Sequence, residues 1–114
     1  MRIKIITNLI TEEEIKQLAT DTYGDMVKAV ADIEKEIVAI GGEWHADAES
    51  LLIENGSLQK NLWGFNIYPN KDKKERVVFV SLINIRPRQN NRGMEIQDPI
   101  IKKKIITIIN KLIK

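Results

Sequence analysis

The apolar residues near both ends of the chain have the spacing of helices, and each run follows a start signal. Thr11 and Glu14 form a capping-box pattern, which predicts a helix that ends before Gly24. Near the other end, Asp98 is predicted to be an N-cap, with Pro99 at the first helical position. The helix predicted after them has an apolar stripe, formed by Ile101, Ile105, Ile108 and Leu112.

Three other segments have the composition of strands. Residues 4–7 are predicted to form a short strand, and residues 62–68 a strand that is closed by Pro69. Residues 76–86 contain a Val-Val-Phe-Val run that is apolar on both faces, which is typical of a central strand. We expect the strands over 62–68 and 76–86 to form an antiparallel hairpin.

Residues 26–40 fit two structures. Their apolar residues recur at helical spacing, but they also alternate with Lys28 and Asp32 as in a strand. The high density of Val and Ile favours a hairpin with strands at 26–33 and 36–41. A single helix is the alternative.

Residues 47–55 are ambiguous in the same way. Asp47 is placed to be the N-cap of a short helix that ends at Asn55 and Gly56. In the alternative structure this segment is a strand, and Asn55-Gly56 is a tight hairpin turn.

Together these elements predict one α+β domain over residues 1–114, with an antiparallel sheet of about four strands and two or three helices packed on it. Apolar residues make up 43% of the chain and charged residues 30%, with a net charge of +2, so the marked basic excess of a dedicated nucleic-acid binder is missing. The absence of cysteine excludes disulfides, thiolate nucleophiles and cysteine metal sites. No apolar stretch approaches the roughly 20 residues that span a bilayer, so we expect a cytoplasmic protein with no membrane partner.

Three stretches carry a family resemblance: His-Ala-Asp-Ala-Glu at 45–49, Leu-Trp-Gly-Phe-Asn-Ile-Tyr-Pro at 62–69, and Ile-Asn-Ile-Arg-Pro at 83–87. In these stretches the chain resembles a family of short prokaryotic proteins of unknown function. The likeness covers most of the chain and includes Asp98 and Pro99 at the last predicted helix. It implies a free-standing bacterial or archaeal protein, and it implies no particular activity.

A basic loop follows the predicted strand over 76–86. This loop contains Arg86, Arg88, Asn90 and Arg92 within seven residues, and none of residues 86–94 is acidic. Guanidinium and amide groups are well suited to holding phosphates and carboxylates. Our leading hypothesis is therefore a non-catalytic binding or accessory domain whose loop binds nucleic-acid phosphate or a small anionic ligand. In the alternative, these arginines pair with nearby acids and serve the structure alone.

Two asparagines interrupt the predicted strands. Asn66 and Asn84 each follow apolar neighbours near a strand end. A buried amide without a hydrogen-bond partner costs about 1–3 kcal/mol, so each side chain either bonds within the core or faces a cleft. We include both in the predicted ligand-binding set.

The alternation of His45, Asp47 and Glu49 supports a second hypothesis. On a strand, residues two apart share a face, where an imidazole and two carboxylates could hold a divalent metal. The protein would then be a metal-dependent hydrolase. If Asp47 instead begins a helix, the carboxylates of Asp47 and Glu49 interact with the helix N-terminus and its dipole, and the three side chains form no metal site.

A third hypothesis is a protein–protein partner in a small bacterial or archaeal module. The wide apolar stripe of the last predicted helix permits a homodimer. Of the few aromatic residues, Trp63 and Phe65 are expected in the core, and Trp44 at a surface or interface.

Overall fold

The computed structural model describes residues 2–114, and within them five strands form one antiparallel sheet in the order β1-β3-β2-β4-β5. The strands are β1 (Ile3–Ile6), β2 (Val27–Asp32), β3 (Ile37–Gly41), β4 (Leu62–Ile67) and β5 (Val77–Val78). Three α-helices pack on this sheet: α1 (Glu12–Thr20), α2 (His45–Glu54) and α3 (Pro99–Leu112). The predicted α+β class is confirmed, with a slightly larger sheet than expected.

The two faces of the sheet bury different side chains. In β4, Trp63 and Phe65 alternate with Leu62 and Gly64, because successive residues of a strand point to opposite sides. Trp63 and Phe65 belong to the larger hydrophobic cluster with α1 and α3, as expected for core residues. Leu62 belongs to the smaller cluster, with α2. Helix α2 therefore covers one face of the sheet, and α1 and α3 cover the other.

The predicted helix start signals act at both terminal helices. The Thr11 hydroxyl accepts a hydrogen bond from the Glu14 backbone N–H at 3.1 Å, and α1 begins at the next residue after Thr11. Asp98 likewise accepts a bond from the Ile100 N–H at 2.8 Å, with Pro99 at the first position of α3. Within residues 2–114, no helix is long and apolar enough to cross a lipid bilayer.

The hairpin over 26–41 is confirmed, and its turn is held by a buried carboxylate. Asp32 accepts hydrogen bonds from the backbone N–H groups of Glu34 and Lys35, both at 3.0 Å, and from the Ser57 hydroxyl at 2.7 Å. Glu36 closes the turn with φ at 58°, in the left-handed region. The polar residue inside this strand therefore serves the turn.

The short helix after the hairpin is confirmed, but its predicted N-cap is wrong. Helix α2 begins at His45, and Trp44 occupies the N-cap position in an extended conformation. The Asp47 N–H donates to the Trp44 carbonyl at 3.1 Å, so Asp47 already lies in the first turn. Helix α2 therefore begins before Asp47, the residue predicted to cap it. Trp44 lies at the N-cap position instead, and its side chain makes no capping hydrogen bond.

The prediction of a central strand over 76–86 is wrong. Only Val77–Val78 pair with β4, opposite Ile67 and Asn66, and β5 lies at the edge of the sheet. The chain then leaves the sheet and forms a 3-10 turn over Leu82–Asn84. The expected antiparallel hairpin of these two segments exists, but it is only two residue pairs long. The apolar run is instead half-buried, and it contacts the following loop where the Ile96 N–H donates to the Phe79 carbonyl at 3.0 Å.

Candidate functional site

Arg86, the centre of the predicted anion site, forms its hydrogen bonds within the protein. Its five N–H donors have protein acceptors: the carbonyl oxygens of Gln59, Leu62 and Ile83, Oε1 of Gln89 and Oε2 of Glu49. Its guanidinium also lies 4.7 Å from the centre of the Trp63 ring. Burial lowers the pKa of Arg86, while the Glu49 carboxylate opposes that shift. Arg86 therefore joins the loop to β4 and α2, and no N–H of its side chain is left for a ligand.

The other predicted loop residues do not converge on one point. Arg88 lines a cavity of about 570 Å³, here named the arginine cavity, which Glu49 and Arg86 also line. Arg92 is exposed and does not line that cavity, and Asn90 is an exposed turn residue with φ at 62°. The carboxylate of Glu49 in the wall weakens the preference of the arginine cavity for anions.

Asn84 is a structural residue, and so is its neighbour Asn91, which the sequence pattern did not single out. The Asn84 amide bonds the backbone N–H and C=O of Gly64, at 2.8 and 2.9 Å. The Asn91 amide donates to three loop carbonyls, and its Oδ1 accepts from the Gln97 N–H at 2.9 Å. Both asparagines are buried and shape the loop that follows β5.

The three predicted metal ligands are separated. Because residues 45–49 are helical, the alternation that would align them on a strand does not apply. His45 points to the Phe65 carbonyl, Asp47 is exposed, and Glu49 pairs with Arg86 at 3.3 Å. Within residues 2–114, no three His, Cys, Asp or Glu side chains are grouped to hold a metal ion.

A smaller cavity of about 330 Å³ brings two of the predicted residues together in another way. This α2 cavity lies between the start of α2, the strands β2 and β4, and the chain that follows β5. Its walls are formed by Lys28, Trp44, His45, Ala46, Asn66, Val80, Ser81, Leu82, Ile83 and Met94. None of these residues is acidic. The sequence indicated His45 as a metal ligand and Asn66 as a ligand-binding residue. It gave no indication that Lys28 lies at a site.

Lys28 reaches the α2 cavity because of strand pairing. Its Cα is the register partner of Asn66, so both side chains lie on the face that α2 covers. Burial lowers the pKa of Lys28. Its ammonium lies 5.3 Å from the centre of the Tyr23 ring, and no carboxylate of residues 2–114 is within ion-pair distance of it.

His45 is held in one tautomer by the edge of β4. Its Nε2 lies 2.8 Å from the Phe65 carbonyl oxygen, and a carbonyl can only accept, so Nε2 carries the proton. The pKa of His45 is lowered to about 4, chiefly by burial; the Phe65 carbonyl opposes that shift, the charge of Lys28 adds a smaller lowering effect, and the Asn66 side chain has the smallest, raising effect. The ring is neutral at pH 7, and Nδ1 keeps its lone pair.

Asn66 has an unsatisfied acceptor at this cavity. Its Oδ1 is buried, and no hydrogen-bond donor of the described residues reaches it. The amide lies beside His45, but no hydrogen bond of normal geometry joins the two side chains. A buried acceptor is costly unless a water or another molecule supplies a donor to it.

Apolar side chains surround the mouth of the α2 cavity. Trp44 is 59% exposed, as expected for a surface position, and Leu82 is 68% exposed. Met94 lies on the rim with them. The first residues of α2 line the cavity and no side chain caps the helix, so the positive end of the helix dipole lies on the same wall as Lys28.

A third cavity, of about 580 Å³, lies between the β2–β3 turn and α3. Its walls carry two carboxylates, Glu34 and Glu36, and two ammonium groups, Lys103 and Lys104. Since these charges balance, it offers no clear preference for a charged ligand.

Comparison with known proteins places the chain in a family. No curated protein and no solved structure matches it. Residues 4–112 match the family model described as a protein of unknown function (DUF5674), so the chain belongs to that family.

Proposed function

We propose that the protein is a non-catalytic binding domain and that its α2 cavity binds a small organic anion, a carboxylate or a phosphate. One observation carries the proposal: Lys28 lines a cavity whose wall has no acidic residue, and no carboxylate of residues 2–114 forms an ion pair with it. A half-buried cation without a counter-ion is costly, and an anionic ligand would remove that cost.

The dimensions of the cavity support a small ligand. About 330 Å³ is at the lower end of the range for small-molecule sites. Val80, Ile83 and Met94 supply apolar walls. The ligand would therefore combine one anionic group near Lys28 with a compact apolar body, and the exposed Trp44 would cover it.

The state of His45 favours binding over acid–base catalysis. A ring whose pKa is about 4 accepts a hydrogen bond at pH 7 but takes up a proton poorly. The sequence predicted anion binding by the arginine loop. Because the side-chain N–H groups of Arg86 already bond acceptors of the protein, we propose the α2 cavity as the anion site instead.

Isothermal titration calorimetry with a panel of small carboxylates and phosphates tests this function. We expect at least one to bind, and Lys28→Met to weaken binding about tenfold or more, since a charge-assisted hydrogen bond contributes about 1.5–3 kcal/mol. The matched control is Lys16→Met, an exposed lysine on α1 at the opposite face of the sheet. No binding by any member of the panel, or equal binding by Lys28→Met and wild type, would contradict the proposal.

A further inference from the structure

We infer that the ligand of the α2 cavity carries, beside its anionic group, a neutral hydrogen-bond donor such as a hydroxyl or an amide N–H, which Asn66 and His45 receive. This inference rests on the proposed function and specifies the class of ligand. A hydroxy acid belongs to this class, and the same acid without its hydroxyl does not.

Two side-chain acceptors of residues that line the α2 cavity receive no hydrogen bond within residues 2–114, and one of them, Asn66 Oδ1, is fully buried. His45 is only 7% exposed and uses its Nε2 proton on Phe65, which leaves the Nδ1 lone pair facing no donor among the described residues. Asn66 directly follows Phe65 in β4, and its buried Oδ1 has no donor either. The position of the Phe65 carbonyl thus brings both acceptors together.

An anion alone would not satisfy this arrangement. A carboxylate or phosphate oxygen is itself an acceptor, so near His45 Nδ1 and Asn66 Oδ1 it would leave all lone pairs unpaired. Lys28 does not fill the role, since its ammonium lies over the Tyr23 ring and makes no hydrogen bond to Asn66. The missing donor must come from the ligand or from a water that the ligand retains.

The donor is neutral for an electrostatic reason. Lys28 lines the same cavity as His45 and Asn66, and no acidic residue lines it, so the charge in the cavity wall is positive. A ligand ammonium placed there would be repelled. A hydroxyl or an amide N–H supplies the proton without the charge, and the anionic group can then lie toward Lys28 and the start of α2.

Matched pairs of acids test the inference. We would titrate the protein by calorimetry with 2-hydroxyisovalerate and isovalerate, and with 2-hydroxyisocaproate and isocaproate, which differ only in one hydroxyl. We expect the hydroxy acid of at least one pair to bind about tenfold more tightly than its partner, because a site built around unpaired acceptors discriminates against a ligand that lacks the donor.

The variant Asn66→Leu tests whether Asn66 is responsible for the preference for the hydroxy acid. It removes the amide at nearly constant volume, and we expect the preference for the hydroxy acid to fall to about threefold or less. Asn110→Leu, an exposed position on α3, is the control and should keep the wild-type preference. Circular dichroism and thermal melting establish that both variants fold, and if Asn66→Leu does not, Asn66→Ala replaces it.

The outcomes separate this inference from the proposed function. Equal binding of both acids in every pair that binds would overturn the inference and leave the anion site standing. A preference that Asn66→Leu fully retains would overturn the role given to Asn66. If another carboxylate or phosphate binds wild type but no acid of these pairs does, the inference is overturned and the anion site stands. If no carboxylate or phosphate binds wild type, the proposed function fails and the inference fails with it.

Discussion

The side-chain amide of Asn84 forms two hydrogen bonds to the backbone of Gly64, one to its N–H and one to its C=O. At this point along the edge of β4, an amide side chain does what a neighbouring strand would otherwise do. The chain after β5 can therefore leave the sheet without leaving these backbone polar groups of β4 unpaired. The departing segment forms one wall of the α2 cavity, through Val80, Ser81, Leu82 and Ile83.

Asn84→Ala is expected to destabilise the protein by about 3 kcal/mol, because both backbone groups of Gly64 would be left buried without partners. Urea denaturation followed by circular dichroism measures the change. Asn110→Ala, on the exposed side of α3, is the control and should change stability by less than about 0.5 kcal/mol. A loss of similar size in both variants would refute the role of Asn84.

Gly64→Ala tests the close passage of the two segments. A Cβ at Gly64 would lie 2.7 Å from both Cβ and Oγ of Ser81, so we expect a loss of about 1–3 kcal/mol. The double variant Gly64→Ala/Ser81→Gly removes both clashing atoms and should recover part of that loss. Strictly additive effects in a double-mutant cycle would show that the two residues do not conflict.

Arg86 and Arg88 should differ sharply when each is replaced. Arg86→Lys is expected to cost about 3 kcal/mol, since lysine has fewer donors and leaves the partly buried Glu49 carboxylate poorly paired. Arg88→Lys should leave stability within about 0.5 kcal/mol. Melting temperatures and anion titrations of both variants check this. If Arg86→Lys keeps its stability but loses an anion that wild type binds, the arginine loop is the binding site after all.

Stability should depend on pH through His45. Its pKa is about 4 in the folded protein and 6.5 as a reference for the unfolded chain, so between these values the unfolded chain binds the extra proton. The free energy of unfolding contributed by neutral His45 is therefore fully present above pH 6.5 and is lost as the pH falls toward 4. The loss amounts to at most about 3 kcal/mol.

The variant His45→Gln isolates this contribution. Urea midpoints measured from pH 7 to pH 4 should fall less steeply for the variant than for wild type, because carboxylates titrate in both proteins. Parallel curves would mean that His45 takes up its proton equally well in the folded and unfolded states.

Glu36→Gly is expected to stabilise the protein slightly, by about 0.5–1 kcal/mol. Glu36 has φ at 58°, a conformation that glycine adopts without a steric penalty. Its ion pair with Lys111 is exposed and contributes little. Glu34→Gly, in the same turn but without positive φ, should instead lower the melting temperature. A decrease of the melting temperature for Glu36→Gly would contradict the argument.

The elements that could be predicted from the sequence are those that depend on neighbouring residues. Thr11 and Asp98 cap α1 and α3 through bonds to N–H groups two or three residues away, so the signal and its effect lie in the same short segment. The β2–β3 hairpin is similar, because Asp32 holds its own turn. The α+β class followed from the order of such elements.

The fate of residues 76–86 depended on the tertiary structure. An apolar run favours a strand, but whether that strand is central depends on which groups satisfy the neighbouring edge. Here Asn84 satisfies Gly64, and Arg86 binds the carbonyl of Leu62, so a longer β5 is not needed. These bonds join the 62–69 and 83–87 stretches that carried the family resemblance, which no local pattern revealed.

The candidate site was likewise decided by long-range pairing. The sequence indicated His45 and Asn66 as unusual polar residues, yet it grouped one with Asp47 and the other with the arginine loop. The β2–β4 register places Lys28 beside Asn66, and the docking of α2 brings His45 to Phe65. Residues far apart in the chain meet only when strand register and helix packing are set, and those depend on the burial of the whole core and not on any short segment.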